Sequence, residues 1–444
     1  MKSFLRNIMQ FIFLDILYKL APRLMKFFMY KYLKSGIKLF SSPLPRDQKT
    51  FLNILVLNPE RFMQDIESLT MVKGVNLLFL DSSIQYKLNS LFLPHNLSFK
   101  IDQYMNFNRY TKRLVECLAD ILKQAAIDFD IHCILTPSFQ YRQDFPYQSA
   151  AKIAAINYFV MFKEYLKDPV IKNQFTREYK IKQYKFLGSK MFLANQNLQE
   201  IMIDAEVANK DKLSVVGSPR IDNIYRKLKK ENFTNITPTV TFFSFMHCSG
   251  GVRLNDPLEH FSYDPNDGFY NLFYETHKSL IGLALSNLHI SFNIKLKYAG
   301  EWFQNIEQIA LNEFKTNLTS IPNLKVTAEG NVHDLMMASN LIISFNSTTV
   351  IETLLLQRPL LIPIFAEASG KYKDHHVFFS KYLDRLNCAF SSQEFKLKIQ
   401  DAIDSKFVHT QKTECPADMV KEYIDSFDGH SADKMINEIK EIVL

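Results

Sequence analysis

The stretch that most constrains the fold spans residues 340–366, where two apolar segments flank a short helix-forming segment. Residues 341–344 and 359–364 are apolar runs of the kind that form buried strands, and residues 350–357 have the pattern of a short helix. This order of strand, turn, helix and strand makes up half of a Rossmann-like layer. In such layers ligands bind beyond the carboxyl ends of the strands. We therefore expect the turn at residues 345–349 to face a ligand.

The turn itself carries Asn346, Ser347, Thr348 and Thr349, and Glu352 follows on the helix. Free backbone amides and the positive end of the helix dipole favour an anionic group at such a position, typically a phosphate. A purely structural interpretation is also open. Thr349 and Glu352 are three residues apart, which is the spacing of a capping box.

Length and composition limit the alternatives. A chain of 444 residues exceeds what one core usually supports, so two domains are expected. With only 12 glycines there is no GxGxxG or Walker-type loop, which argues against nicotinamide, flavin and P-loop chemistry. The five cysteines are widely spaced and read as reduced thiols of a cytoplasmic protein. We predict no cofactor and no metal, because no cluster of metal-ligand residues is visible.

The first 40 residues differ in composition from the rest of the chain. Eight basic residues stand there against one acidic residue, Asp15, and the net charge of the whole chain is +7, so the remainder is close to neutral. Apolar residues recur between these charges, which predicts a basic amphipathic helical arm over residues 1–45. The longest uncharged run, residues 7–14, is far shorter than the roughly 20 residues of a transmembrane helix.

Two roles for this arm remain open: binding to an anionic membrane surface, or packing against the first domain. Bulky aliphatic residues are interleaved with the charges, and no nucleic-acid-binding motif accompanies them. We therefore expect no nucleic-acid partner.

Residues 46–228 are predicted to form the first Rossmann-like domain. Apolar runs at residues 54–58, 75–80, 131–136, 158–162, 191–194 and 213–216 alternate with helical segments, as in a doubly wound parallel sheet. Polar residues that follow two of these runs are candidates for an acceptor-side site: Gln140, Arg142, Asp144, Lys163 and Glu164.

Residues 229–444 are predicted to form the second Rossmann-like domain. Its first strand is followed by a Ser-Gly-Gly turn that contains Gly250 and Gly251, which allow close backbone approach to a ligand, and then by Arg253, which can pair with an anion. Lys297, and Arg220 at the end of the first domain, are further candidate phosphate contacts.

Three segments carry a family resemblance. The stretch HDLMMASNLIISFNSTTVIETLLLQRPLLIPIF, from His333, resembles the donor-binding region of GT-B glycosyltransferases. Segments from Ser138 and Lys190 resemble bacterial surface-carbohydrate and capsule enzymes of that class, including relatives of CDP-glycerol glycerophosphotransferases. The resemblance implies two Rossmann-like domains facing a cleft, a last helix that packs back on the first domain, and metal-independent chemistry.

The activity implied is transfer of a sugar from a nucleotide-sugar donor to a surface polysaccharide or a lipid-linked acceptor. Glu352 would hold the donor ribose, as an acidic residue on this helix commonly does in the family. Amides near Ser347 and Thr348, with Arg253 and Lys297, would stabilise the leaving diphosphate. We expect the protein to be cytoplasmic and peripheral on the inner face of the membrane.

A carboxylate of the first domain, Glu164 or Asp144, would take the proton of the acceptor hydroxyl. Three alternatives remain open: a CDP-polyol phosphotransferase, a sugar-nucleotide epimerase, and a non-catalytic assembly protein with this fold. The turn sequence FNSTT departs from the Asp-Tyr-Ser type of turn usual in the first of these.

Overall fold

The computed structural model describes residues 18, 21–40, 52–92, 109–141, 143–168, 172–230, 237–246, 268–370, 376–408 and 414–444. These residues group into two compact units. The first lies within Met1–Tyr165, Tyr179–Asn223 and Ile424–Leu444, and the second within Leu166–Glu178 and Ile224–Tyr423.

The strands, in chain order, are β1 (Ile37–Phe40), β2 (Leu52–Val56), β3 (Val75–Leu80), β4 (Cys133–Thr136), β5 (Asn157–Met161), β6 (Lys190–Leu193), β7 (Leu213–Val215), β8 (Thr239–Phe243), β9 (Ser291–Lys295), β10 (Leu324–Thr327), β11 (Leu341–Ser344), β12 (Leu360–Pro363) and β13 (Cys388–Ala389).

The helices are α1 (Pro22–Gly36), α2 (Met63–Leu69), α3 (Ser82–Phe92), α4 (Arg109–Asp128), α5 (Phe145–Ala154), α6 (Lys172–Ile181), α7 (Gln196–Asp204), α8 (Pro219–Lys230), α9 (Tyr270–Ser286), α10 (Glu301–Phe314), α11 (Val332–Met337), α12 (Thr348–Leu355), α13 (Ser392–Asp404), α14 (Ala417–Ile424) and α15 (Ser431–Val443). Short 3-10 helices lie at Pro59–Arg61, Lys210–Lys212, Leu318–Ser320, Ala366–Ala368 and Ser380–Arg385.

In the first unit the strand order is β1-β3-β2-β4-β5-β6-β7, and all neighbours are parallel except β1 and β3. In the second unit the order is β10-β9-β8-β11-β12-β13, and every pair is parallel. Helices connect successive parallel strands. The predicted fold class, two Rossmann-like α/β domains, is therefore confirmed.

One hydrophobic cluster of the first unit forms between the sheet, α2 and the last helix of the chain. Met435, Ile436 and Ile439 of α15 are fully buried and pack with the inward residues of β2. The carboxylate of Asp222 accepts hydrogen bonds from the backbone N–H of Ser431 and Ala432 at the start of α15. These bonds satisfy amides that have no partner within the helix, and so they fix the point where α15 begins.

The arm is helical over α1, which packs against α4. Met25, Met29 and Leu33 are buried on that side. Lys34 Nζ lies 2.6 Å from Asp128 Oδ2, and Lys26 pairs with Asp120. Residues 41–45 lie outside the described residues, but the prediction of a helical arm is wrong at Ile37–Phe40. There the chain forms edge strand β1, because β3 offers it an antiparallel pairing partner.

Candidate functional site

The second unit has a topological switch point between β8 and β11. From β8 the chain moves outward through β9 to β10, and it then returns to the other side of β8 to form β11. The two strands pair from Leu341 opposite Val240 to Ser344 opposite Phe243, so their carboxyl ends coincide. In open α/β sheets the connections that leave such neighbouring ends diverge, and ligands bind in the crevice between them. Most of the connection after β8, residues 247–267, lies outside the described residues.

The turn after β11 begins α12 at this crevice. Ser347 is the N-cap, and its hydroxyl accepts a hydrogen bond from the Thr349 backbone N–H. The Thr349 hydroxyl instead bonds Ser344 Oγ at 2.6 Å. The interpretation of Thr349 and Glu352 as a capping box is therefore wrong, because Thr349 lies inside the helix and is not its N-cap. Ser347 and Thr348 are partly exposed at the helix start, where the helix dipole favours an anion.

Asn346 holds the turn in place. Its φ of 46° is left-handed, a conformation that asparagine tolerates better than most residues. Its side chain donates to the His376 carbonyl at 2.7 Å and accepts from the Phe378 N–H at 2.9 Å. In the described structure, Asn346 joins two segments of the second unit, while its role as a ligand contact stays a prediction.

Glu352 is fully buried, one turn into α12. Its Oε2 lies 3.3 Å from His333 Nε2, and the His333 ring is also buried. His333 is placed by the start of α11, where the Asn331 side chain accepts from the His333 backbone N–H at 2.9 Å. The Glu352 carboxylate is thus enclosed within the second unit, with a histidine beside it. Its contact with a ribose stays a prediction.

Of the residues predicted to supply positive charge to the donor site in the second unit, only Lys297 is among the described residues. Lys297 is exposed just beyond β9. Its neighbour on the strand, Lys295, is buried and donates to the carbonyls of Leu296 and Ala328, and burial lowers the pKa of Lys295. Gly250, Gly251 and Arg253 lie outside the described residues.

The structure contains a polar network at the end of β8 that the sequence analysis did not predict. Ser244 Oγ lies 2.9 Å from His277 Nε2 and accepts from Trp302 Nε1 at 2.9 Å. His277 Nδ1 lies 2.6 Å from the Phe273 carbonyl, which can only accept, so Nδ1 carries the proton and Nε2 accepts from Ser244. Burial lowers the pKa of His277 to about 4, so the ring is neutral at physiological pH. The network fixes Ser244 at the edge of the crevice.

The first unit has its own switch point, between β2 and β4. Asn58 follows β2, Thr136 ends β4, and both donate to the carboxylate of Asp144. Gln85 of α3 donates to the same carboxylate at 2.6 Å. Asp144 is 1% exposed, and burial raises its pKa to about 7 against the opposing effect of these donors. Asp144 thus joins β2, β4 and α3, and its carboxylate is shielded from solvent.

Glu164, the other predicted base, is more accessible. Its side chain is 42% exposed, and Oε1 accepts from the Tyr141 hydroxyl at 2.9 Å and lies 3.1 Å from Lys163 Nζ. Lys163 and Arg61 both lie over the Tyr141 ring. Lys163 and Glu164 therefore lie beside the loop that carries Tyr141, whereas Arg142 falls outside the described residues.

Two further predicted residues have local partners in the first unit. The Gln140 backbone N–H donates to Ser138 Oγ at 3.1 Å, and Gln140 is half-buried in the loop after β4. Arg220 starts α8, where its backbone N–H donates to Asp65 and its guanidinium bonds Gln64. Contact of Arg220 with a donor phosphate stays a prediction.

The described residues contain no group of three or more His, Cys, Asp or Glu side chains placed to hold a metal ion. Among the helices described, none combines the length and the apolar character needed to cross a lipid bilayer.

No protein-family model matches the chain, and no curated protein matches it. Among solved structures, UDP-GlcNAc 2-epimerase from Neisseria meningitidis bound to UDP-GlcNAc aligns with 14% identity and a TM-score of 0.48, covering 88% of this chain and 100% of that chain. Anabaena HepE in complex with UDP and glucose aligns with 16% identity and a TM-score of 0.46, covering 88% and 99%.

A glycosyltransferase from Rickettsia africae aligns with 14% identity and a TM-score of 0.42, covering 89% of this chain and 98% of that chain. Because the identities are this low and these TM-scores fall below 0.5, we draw the function from the residues of this chain alone.

Proposed function

We propose that the protein is a GT-B glycosyltransferase that moves a sugar from a nucleotide-sugar donor to a surface polysaccharide or a lipid-linked acceptor. The observation that carries this proposal is the start of α12 at the β8–β11 switch point, with Ser347 and Thr348 at the helix start and the buried carboxylate of Glu352 one turn further on. The second unit binds the donor in this scheme.

In this scheme different residues bind the diphosphate and the ribose of the donor. The backbone amides near Ser347 and Thr348 bind the diphosphate, because they lie at the positive end of the helix dipole. Lys297 and Arg253 add positive charge as the diphosphate leaves. Glu352 accepts hydrogen bonds from the ribose hydroxyls.

Glu164 is the general base in this scheme, and Asp144 is a positioning residue. Glu164 is exposed enough to meet an acceptor hydroxyl, whereas the Asp144 carboxylate is buried under three donors. In the reaction the bond between the sugar C1 and the diphosphate oxygen breaks, and a bond from C1 to the acceptor oxygen forms. The acceptor proton passes to Glu164, and the nucleoside diphosphate leaves with the bonding electron pair.

The arm supports attachment to a membrane surface on the cytoplasmic side. One face of α1 packs on α4, and the opposite face exposes Leu24, Phe27 and Phe28 by 51%, 52% and 62%. Lys31 lies over the Phe27 ring on the same face. An exposed apolar stripe next to basic residues is the pattern of a helix that lies in the interface of an anionic membrane. Packing and membrane binding therefore use different faces of one helix.

A product assay separates this proposal from the alternatives. The protein is incubated with a panel of UDP-, GDP-, dTDP- and CDP-linked sugars and CDP-linked polyols, with and without a membrane glycan extract. Nucleoside diphosphate, CMP and epimerised donor are each measured. A transferase releases diphosphate in an acceptor-dependent way. An epimerase converts a donor without any acceptor, a polyol phosphotransferase releases CMP, and an assembly protein does neither. Any of these three results would contradict the proposal.

A further inference from the structure

A cleft of about 510 Å³ opens in the first unit beside edge strand β1, and none of the roles above uses it. It is bounded by Phe40 of β1, by Glu60 after β2, and by Phe79, Asp81 and Ser82 at the end of β3. This volume falls within the roughly 300–1,000 Å³ of small-molecule sites. The cleft exists because β1 adds to the sheet in antiparallel fashion and brings new side chains alongside β3.

The wall contributed by β1 and β3 is aromatic. The rings of Phe40 and Phe79 stack with their centroids 4.5 Å apart, and both side chains remain partly exposed. Aromatic rings at the solvent boundary offer apolar surface for a ligand that also carries polar groups. Sugar rings are ligands of this kind, since their C–H faces are apolar and their edges carry hydroxyls.

Another part of the lining, which we call the acidic rim, contains Glu60 and Asp81. Glu60 Oε2 accepts from Ser82 Oγ at 2.6 Å, and Asp81 Oδ1 accepts from the Ser83 backbone N–H at 2.8 Å. Hydrogen bonds from Ser83 hold the pKa of Asp81 below its usual range, so this carboxylate is ionised at neutral pH. Ionised carboxylates only accept hydrogen bonds, and they therefore suit a ligand rich in hydroxyl donors.

The same rim disfavours a phosphate. Two carboxylates face the cleft against one ammonium group, that of Lys38. The Asp81 carboxylate also accepts from the Ser83 N–H in the first turn of α3, so this amide is not free for an anion. The ligand that fits is polyhydroxylated and uncharged.

The cleft lies close in sequence to the proposed acceptor-side residues of the first unit. Asn58, which donates to Asp144, comes directly before the segment that supplies Glu60. From the cavity, the aromatic wall and the acidic rim, we propose that this cleft binds a neutral sugar unit of the acceptor glycan. The identity of the ligand as an acceptor rests on the proposed function, whereas sugar binding itself does not.

The test is binding to an array of neutral and acidic oligosaccharides by the full-length protein, with no donor present. The variants are Glu60→Ala, which removes one acceptor from the rim, and Phe40→Ala, which removes one ring from the wall. The matched control is Glu67→Ala, on α2 of the same unit and outside the cleft. Melting temperatures show whether each variant is folded, and Glu60→Ala keeps the result interpretable if Phe40→Ala unfolds, because Glu60 is exposed.

We expect the wild type to bind neutral glycans, Glu60→Ala to weaken that binding by about tenfold, and Glu67→Ala to leave it unchanged. No binding to any neutral glycan, binding to acidic glycans only, or equal binding by wild type and Glu60→Ala would overturn the proposal. Sugar binding that is lost in Glu60→Ala, by a protein that shows no transfer, would retain the sugar site and overturn the transferase instead.

Discussion

Glu352 and His333 lie against each other in the core of the second unit, with Oε2 and Nε2 3.3 Å apart and both side chains at most 2% exposed. A buried carboxylate is costly unless other groups stabilise it. In the proposed scheme this carboxylate serves the donor, because an acceptor that the protein already holds fixed can bind ribose hydroxyls with little reorganisation. The proposed donor site therefore depends most on Glu352.

Replacing Glu352 by Gln should weaken nucleotide binding by about tenfold to a hundredfold, because hydrogen bonds to a charged group are worth about 1.5 to 3 kcal/mol. Isothermal titration calorimetry with the best nucleoside diphosphate measures this. Glu329→Gln, on the exposed surface of the same unit, is the matched control. Equal affinity in wild type and Glu352→Gln would remove Glu352 from the site.

Asp144 should respond differently to two substitutions. In Asp144→Asn the amide oxygen can still accept from Asn58 and Gln85, and the new NH₂ can donate to the Thr136 hydroxyl, so the variant should fold with near wild-type stability. Asp144→Ala leaves buried donors without a partner and should lose about 1–3 kcal/mol for each. Urea unfolding of the two variants measures the difference. Equal stability of both would contradict this account of the cluster.

The pH dependence of stability gives a second test of Asp144. Burial raises the pKa of this carboxyl from 3.8 to about 7, so between those values the folded protein binds more protons than the unfolded chain. This contribution to stability is therefore full below pH 3.8 and falls as the pH rises to about 7. Asp144→Asn should lose this component of the slope in urea unfolding midpoints from pH 5 to 8. An unchanged slope would show that Asp144 does not titrate in this range.

The same Asn variant separates the two candidate bases. If Glu164 is the base, Glu164→Gln should lower turnover by about a hundredfold to ten-thousandfold while nucleotide binding persists. Asp144→Asn should keep most of its activity, because it preserves the positioning contacts. Rates of transfer under saturating donor decide between the two. A large loss in Asp144→Asn together with an active Glu164→Gln would reverse the assignment.

We predict that the arm binds membranes through the exposed face of α1 only. Phe27→Glu combined with Phe28→Glu should release the protein from vesicles that contain anionic lipid, without changing its melting temperature, because neither residue is among the buried residues that pack α1. Raised salt should weaken the wild-type attachment. Ile153→Glu, at an equally exposed position of the same unit, is the control. Co-sedimentation of the double variant at the wild-type level would exclude this face.

Much of the fold could be predicted because buried parallel strands are continuous apolar runs. The predicted strand at residues 75–80 coincides with β3, and the other predicted strands of the first unit overlap β2 and β4 to β7 with shifts of one or two residues at their ends. Strand β1 was missed because Ile37 to Phe40 continue the basic and apolar pattern of α1. Their extended conformation comes from pairing with β3, which no local pattern reveals.

The candidate site could be predicted in location and only partly in detail. The switch-point turn was identified from its strand-turn-helix pattern. The capping residue was not: the N-cap is Ser347, and the Thr349 hydroxyl bonds Ser344 instead of capping the helix. The partner of Glu352 comes from a separate helix, and Asp144 gathers donors from three separate segments. Contacts of this kind have no fixed spacing in sequence. A buried histidine such as His277, on a largely apolar helix, was the only local signal for the Ser244 network.

We propose above that the start of α12 binds the diphosphate of a nucleotide. A thermal-shift measurement with UDP, GDP, dTDP, CDP and inorganic pyrophosphate tests this binding most directly. Ligand that binds only the folded state at 100 times its Kd stabilises it by about 2.7 kcal/mol. We predict that one nucleoside diphosphate raises the melting temperature by several degrees, that pyrophosphate raises it less, and that Glu352→Gln reduces the nucleotide effect. No shift with any nucleotide, or the same shift with pyrophosphate as with every nucleotide, would contradict the assignment.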